Sequence, residues 1–264
     1  MRRITARDNA RYQALKRLCR SSGERRRSGL AVLDGMHLIE AYRRRYGLPP
    51  EILVSDSGAQ RREIGEFLRY AGDGARTSVL ADALFASLAV VDTPSGIMAV
   101  VPCPPTGTLQ PAVDTVVLDG VQDPGNVGSI LRSAAAAGFR QILLAPDCAQ
   151  VWAPKTLRAA MGAHFQLDIH EGGDLSSFLA AFHGVTVATL PTAVAGLYES
   201  KLEDPLAWVF GSEGHGIRPQ VVALTRLQLS IPLAPHTESL NVAAAAAICL
   251  FETVRYRRAG IARL

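Results

Sequence analysis

The stretch VVLDGVQDPGNVGSILRSAAAAGF, residues 116–139, decides how the rest of the chain is read. Val116, Val117 and Leu118 form a short apolar run that suits a buried strand. Asp119-Gly120 and Asp123-Pro124-Gly125-Asn126 predict a tight polar turn. After Gly128 the pattern turns helical, with Ile130, Leu131, Ala134 and Ala135 at packing intervals and Gly138 as the expected C-terminal cap. A strand that feeds a polar loop and then a helix N-terminus is where α/β proteins bind ligands. Arg132 follows Gly128 by four residues and Gly125 by seven, so its guanidinium shares a face with the helix-start amides, a surface suited to phosphate. Gly125-Asn-Val-Gly128 lacks the G-x-G-x-x-G spacing, which disfavours a dinucleotide site.

The surrounding 264 residues, 48% of them apolar, allow two modest domains or one large one. Charge is uneven. Residues 1–27 hold ten Lys/Arg against Asp8 and Glu24, a net +8, and the remainder of the chain nets −4. A basic arm on a near-neutral body points to a polyanion, most simply nucleic acid. Cys19, Cys103, Cys148 and Cys249 form no C-x-x-C pair and no metal spacing, which fits a reducing compartment and predicts no metal. The N-terminus has no signal-peptide core, and the apolar runs fall short of a membrane span. The expectation is a soluble cytoplasmic protein with no membrane partner.

Taken in order, residues 1–28 predict a basic N-terminal arm with an amphipathic helix, its stripe made by Tyr12, Leu15, Leu18 and Cys19. Residues 29–102 alternate strand and helix, with helices expected at 36–46, 61–70 and 81–88, and imply a small layered α/β domain. Its unusual polar pieces are Asp34-Gly35-Met36-His37 and the turn Asp92-Thr93-Pro94-Ser95-Gly96. The proline-rich segment 103–112 is a semi-rigid connector. From 113 to 264 strands are expected at 116–118, 141–145, 165–169, 185–190, 206–210 and 227–233, with Asp174 and Ser239 capping helices. Short connections between strands and helices imply a mostly parallel sheet covered on both faces.

Two further loops carry chemistry. Phe210-Gly-Ser-Glu-Gly-His-Gly-Ile217 sets three glycines around one carboxylate at the end of a buried strand, where glycine permits close backbone approach. Ile231-Pro-Leu-Ala-Pro-His-Thr-Glu-Ser-Leu-Asn-Val242 runs from a strand through a proline-stiffened loop into an Ala-rich helix. Ser239 there is explained by capping alone. Asn241, with four hydrogen bonds to place at a helix start, needs more.

Together the ordered motifs D-P-x-N-x-G-x-x-x-R, G-x-E-G-x-G and I-P-L…S-L-N-V resemble the SpoU-type methyltransferases of the SPOUT superfamily, which are S-adenosylmethionine-dependent RNA ribose 2′-O-methyltransferases. Asn126, Gly128 and Arg132 match the first motif, Gly211, Glu213, Gly214 and Gly216 the second, and Ile231, Pro232, Ser239, Leu240 and Asn241 the third. The resemblance covers residues 113 to the C-terminus. More weakly, the front unit, from Ile4-Thr-Ala-Arg7 and Leu33-Asp-Gly-Met-His-Leu38 to Asp92-Thr-Pro-Ser-Gly96, looks like the ribosomal-protein-like RNA-binding domain that many members carry. The implied fold is α/β: a parallel-sheet trefoil-knot (SPOUT) domain preceded by a small α/β RNA-binding domain. The resemblance also implies a homodimer through the C-terminal domain, with the long last helix near the interface. Cofactor contacts would come from Leu190, Gly211, Gly216, Ile231, Leu233 and Leu240.

What the resemblance implies for catalysis is a set of Arg132, Asn126, Glu213, Ser239 and Asn241. S-adenosylmethionine brings an activated methyl, and a ribose hydroxyl needs alignment and proton removal. The family proposal makes Arg132 the base. A guanidinium stays protonated, so Arg132 is read instead as positioning a phosphate and polarising the hydroxyl. His215 is the rival base, imidazole being the side chain that exchanges a proton nearest neutral pH. Where many members have serine this chain has Ala160. A structured RNA, preferably ribosomal, is the expected substrate; the alternatives are tRNA, or a non-catalytic RNA-binding protein that keeps the fold.

Overall fold

The computed structural model describes residues 2–89, 94–202 and 205–261, so Asp92 and Thr93 of the predicted turn lie outside the described residues. Two compact units emerge: Met1–Pro105 with Trp152–Phe165, and Thr106–Val151 with Gln166–Leu264. No helix among the described residues is long and apolar enough to cross a membrane.

The first unit contains β1 (Arg2–Ile4), α1 (Ala10–Arg20), α2 (Ser22–Ser28), β2 (Leu30–Asp34), α3 (Met36–Tyr46), β3 (Glu51–Ser55), α4 (Arg62–Ala71), β4 (Arg76–Leu80), α5 (Asp82–Leu88) and β5 (Ile97–Pro102). Its sheet order is β1-β4-β3-β5-β2, with β5 antiparallel to both neighbours. Strand side chains alternate between two cores, as a period of two requires. Val32 and Leu53 face Tyr12, Leu15 and Leu18 of α1, while Leu33, Ile52 and Val54 face Ile39 and Tyr42 of α3 and Phe67 of α4.

The basic N-terminal segment is thus built into this unit and is not a separate arm. Ile4, only 1% exposed, pairs with Leu80 in a parallel ladder too short for sequence periodicity to register. Ser21 divides the helical stretch, its hydroxyl accepting from Glu24 N at 3.2 Å. The buried Arg25 guanidinium donates to the carbonyls of Leu18 and Cys19 at 2.8 and 3.2 Å, so part of the local charge is structural.

The second unit holds β6 (Thr115–Asp119), α6 (Pro124–Ala137) and β7 (Gln141–Leu144). After α7 (Pro154–Ala160) come β8 (Asp168–Glu171), α8 (Leu175–Ala181), β9 (Val185–Thr189), β10 (Ala195–Gly196), β11 (Leu206–Gly211), α9 (Pro219–Val222), β12 (Leu227–Ser230) and α10 (Val242–Ile261). Although numbered in sequence here, α7 belongs to the first unit: Leu157 joins the α3 core, and Phe165 meets Tyr42 edge-on with ring centroids 5.5 Å apart. The strand expected at 165–169 starts later, at Asp168, because 163–166 form a 3₁₀ turn. Ala160, buried, lies in the same α7 segment.

All seven strands of this unit are parallel, in the order β10-β12-β9-β11-β6-β7-β8. The centre is β11 beside β6, largely apolar runs buried along their length, with Thr115 and Asp119 at the two ends of β6. Trp208 of β11 is wholly buried and donates from Nε1 to Thr253 Oγ1 of α10 at 3.0 Å. Arg257 of the same helix forks onto Asp114 at 2.6 and 2.9 Å. These contacts tie α10 to the sheet and fix where its N-terminus points. Gly211 pairs with Asp119, so the polar loops after β6 and β11 emerge side by side at the carboxyl edge of the sheet.

Candidate active site

The first loop leaves β6 through Gly120, whose φ of +72° suits glycine. The segment from Asp123 to Asn126, predicted as a turn, is instead the start of α6. Asp123 Oδ1 accepts from Asn126 N at 2.8 Å and Pro124 occupies the first helical turn, the arrangement of an N-cap followed by proline. Asn126 therefore sits in the first turn of α6, at the sheet edge.

The second loop folds back on itself. Ser212 and Gly216 exchange backbone hydrogen bonds of 3.0 and 2.9 Å, and His215 N donates to Ser212 Oγ at 3.1 Å. Gly211 is required by this turn: a Cβ there would stand 2.1 Å from Gly216 C and 2.3 Å from Ile217 N. Glu213 projects from the turn, exposed.

In the third loop the helix cap is Asn241, not Ser239 as expected. Asn241 Oδ1 accepts from Ala243 N and Ala244 N at 2.9 and 3.2 Å, whereas Ser239 precedes α10 by three residues. The Asn241 Nδ2 group then reaches Asn126 Oδ1 at 2.9 Å, and Asn126 Nδ2 donates to Glu213 Oε1. One hydrogen-bond chain, Asn241–Asn126–Glu213, thus joins the three loops.

Beside this chain opens a cavity of about 410 Å³. Leu190, Gly211, Gly216, Ile231, Leu233 and Leu240 all line it, and so do Glu213, Ser239 and Asn241. Its size and apolar walls with a few convergent polar groups match a small-molecule site. A second cavity, about 390 Å³, lies across the 212–216 turn and includes Gln122, Asp147 and His215 in its lining.

Arg132 is placed differently. It is exposed on α6, lines neither cavity and makes no hydrogen bond or ion pair among the described residues. Because α6 begins at Pro124, Arg132 is two turns into the helix rather than just past its start.

Sequence reading missed the Asp119–Arg218 pair. Asp119 closes β6 with its side chain wholly buried, and it accepts from Arg218 N and Arg218 Nε, both at 2.7 Å. That hydrogen bonding pushes the Arg218 guanidinium above its ordinary range. The available signal was an aspartate ending a run that is otherwise apolar, which demands a buried partner.

An α/β protein with a parallel sheet and a small-molecule cavity at the carboxyl edge of its strands is the class these features define. Residues 114–251 match the profile of the SpoU rRNA Methylase family, and the chain belongs to that family. It is 32% identical over 263 residues to an uncharacterized tRNA/rRNA methyltransferase of Synechocystis, covering 96% of this chain and 93% of the relative. The Bacillus subtilis 23S rRNA (guanosine(2553)-2′-O)-methyltransferase RlmP is 31% identical over 254 residues, covering 95% of this chain and 98% of that protein. The crystal structure of the SpoU methyltransferase AviRb from Streptomyces viridochromogenes, in complex with the cofactor AdoMet, superposes with a TM-score of 0.84 at 26% identity, covering 94% and 98% of the two chains.

Proposed function

We propose that this chain is an S-adenosylmethionine-dependent methyltransferase acting on a ribose 2′-hydroxyl of ribosomal RNA. The observation that carries this reading is the Asn241–Asn126–Glu213 chain beside the apolar cavity. When bound, S-adenosylmethionine supplies an electrophilic methyl on sulfur. The residues fit such a group: the cavity volume suffices, Leu190, Ile231, Leu233 and Leu240 provide apolar walls, and Gly211 and Gly216 bring backbone N–H and C=O groups to the surface without side chains in the way.

The chain's own side chains do the aligning. One Glu213 oxygen is held by Asn126, so the carboxylate is fixed and keeps lone pairs for a hydroxyl donor. Asn126 is fixed in turn by Asn241, whose Oδ1 is committed to the α10 amides. Ser239 adds a hydroxyl on the same wall. A network in which each member is held by the next keeps a weak nucleophile in line at little entropic cost during the reaction.

Arg132 would hold the RNA phosphate. Its position outside the cavity of a single protomer supports a homodimer in which α6 and α10 form the contact and complete the site. Phe251, 48% exposed on α10, supports that face as the contact. Exposed Arg17 and Arg26 on α1 and α2 suit backbone phosphates of a structured RNA, consistent with a cytoplasmic ribosomal substrate.

Titration calorimetry of S-adenosylmethionine tests the assignment. The wild type is expected to bind saturably, and Arg132→Ala to bind equally while losing methyl transfer. Absence of binding in the wild type, with RNA present, would leave only a fold-retaining RNA-binding protein.

A further inference from the structure

Building on the methyl-transfer reading above, we propose that the second cavity receives the base of the acceptor nucleotide and that Asp147 selects guanine there. The two cavities share Ser212, Glu213 and Gly216, so the 212–216 turn is the wall between them. An acceptor hydroxyl that meets a donor from the first cavity beside Glu213 carries its base into neighbouring space. That space, about 390 Å³, is lined by polar residues and glycines, whereas the first cavity adds the aliphatic walls of Leu190, Ile231, Leu233 and Leu240 to its polar groups.

Most of those polar groups are already committed. Asp119 is closed off in its pair with Arg218, and Glu213 holds the Asn126 amide. The side chains of Asp147 and Gln122 are exposed and make no hydrogen bond or ion pair among the described residues, and the Asp147 charge acts on the Arg218 guanidinium of the same cavity without closing on it. The Asp147 carboxylate lies over Gly120, where a Cβ would come within 3.1 Å of its Oδ2. Glycine at that position leaves the carboxylate room to face the cavity.

An ionised carboxylate only accepts hydrogen bonds. Guanine alone offers two adjacent donors, N1–H and the N2 amino group, on its Watson–Crick edge. Adenine and cytosine set one amino group beside a ring acceptor, and uracil sets its one N–H between two carbonyls, so each turns lone pairs toward Asp147. The Gln122 amide supplies the N–H that guanine O6 needs. Unstacked bases of loops and bulges are read in this way, edge by edge.

The test locates the methylated nucleotide in ribosomal RNA, then compares synthetic RNA carrying guanosine or inosine there, with wild type and Asp147→Asn. Inosine lacks only the N2 amino group. Expected are methylation of a guanosine, and a fall in kcat/KM of about 5- to 150-fold on inosine with the wild type. Asp147→Asn is expected to show a similar fall on guanosine, no further fall on inosine and unchanged S-adenosylmethionine affinity by calorimetry. The wild-type inosine comparison stands even if the variant folds poorly. A 2′-O-methyl mapped to adenosine, cytidine or uridine, or undiminished transfer to inosine, would overturn the base assignment while leaving the methyltransferase reading intact. No 2′-O-methyl at all would overturn both.

Discussion

Gly211 and Gly214 stand three residues apart in the same loop and predict opposite outcomes when replaced by alanine. At Gly211 the new methyl would meet Gly216 C at 2.1 Å, Gly216 O at 2.3 Å and Ile217 N at 2.3 Å, all backbone atoms that cannot rotate away. At Gly214 nothing lies within 4 Å. Gly211→Ala must therefore push the 212–216 turn outward, straining or breaking the Ser212–Gly216 hydrogen-bond pair. Overpacking of this kind costs about 1–3 kcal/mol, and each hydrogen bond lost adds about 0.5–1.5 kcal/mol. If restoring the closed turn costs about 2–3 kcal/mol, a ligand that needs it closed binds roughly 30- to 160-fold more weakly. The assay is calorimetric titration of S-adenosylmethionine into wild type, Gly211→Ala and Gly214→Ala, with thermal melts to confirm that each is folded. Gly214→Ala should bind like the wild type. Equal affinity of Gly211→Ala, or an equal loss in Gly214→Ala, would refute the idea that the folded-back turn shapes the cofactor cavity.

Asn126→Ala leaves the Asn241 amide and the Glu213 carboxylate without their shared partner; the expected result is a kcat lower by about 10- to 100-fold with cofactor affinity retained, checked by single-turnover methyl transfer and calorimetry. Asn241→Ala removes the α10 cap, which costs about 1 kcal/mol and a melting temperature lower by about 2–4 °C. Asn241→Asp keeps the cap acceptor yet loses the N–H to Asn126, so it should restore the melting temperature without restoring activity. Burial pushes the Cys249 thiol up to about 12 and the Cys19 thiol up to about 11; since the thiolate is the nucleophile, neither should react with iodoacetamide at neutral pH until the protein unfolds, as peptide mapping of labelled protein would show.

The long periodic elements were legible in the sequence because apolar residues recur there at one period. Met36–Tyr46 and the central strands are examples, and the three chemical loops stood out by their glycines and polar side chains. Boundaries were less legible where one residue set has two readings. Asp123-Pro124-Gly125-Asn126 suits a turn, but aspartate as N-cap and proline at the first helical position equally open a helix, and the second reading holds. Ser239 and Asn241 are both good caps, and the bonds from Ala243 N and Ala244 N to Asn241 Oδ1 decide between them. Arg2–Ile4 is too short and too basic to read as a strand; it exists because β4 offers it an edge. The grouping of Trp152–Phe165 with the first unit depends on Leu157 and Phe165 entering a core that lies far away in sequence. For the site, the family resemblance implied the residues that line the cavity, while the pairing of Asp119 with Arg218, 99 positions apart, emerges only once β6 and β11 are adjacent.

The central claim is tested most directly by incubating the purified protein with methyl-labelled S-adenosylmethionine and, side by side, ribosomal RNA and tRNA, then locating the label by nuclease digestion and mass spectrometry. The expected result is label on a ribose 2′-oxygen of ribosomal RNA, with loss of that label in Asn126→Ala. Label on a base, label in tRNA alone, or transfer undiminished in Asn126→Ala would contradict the account.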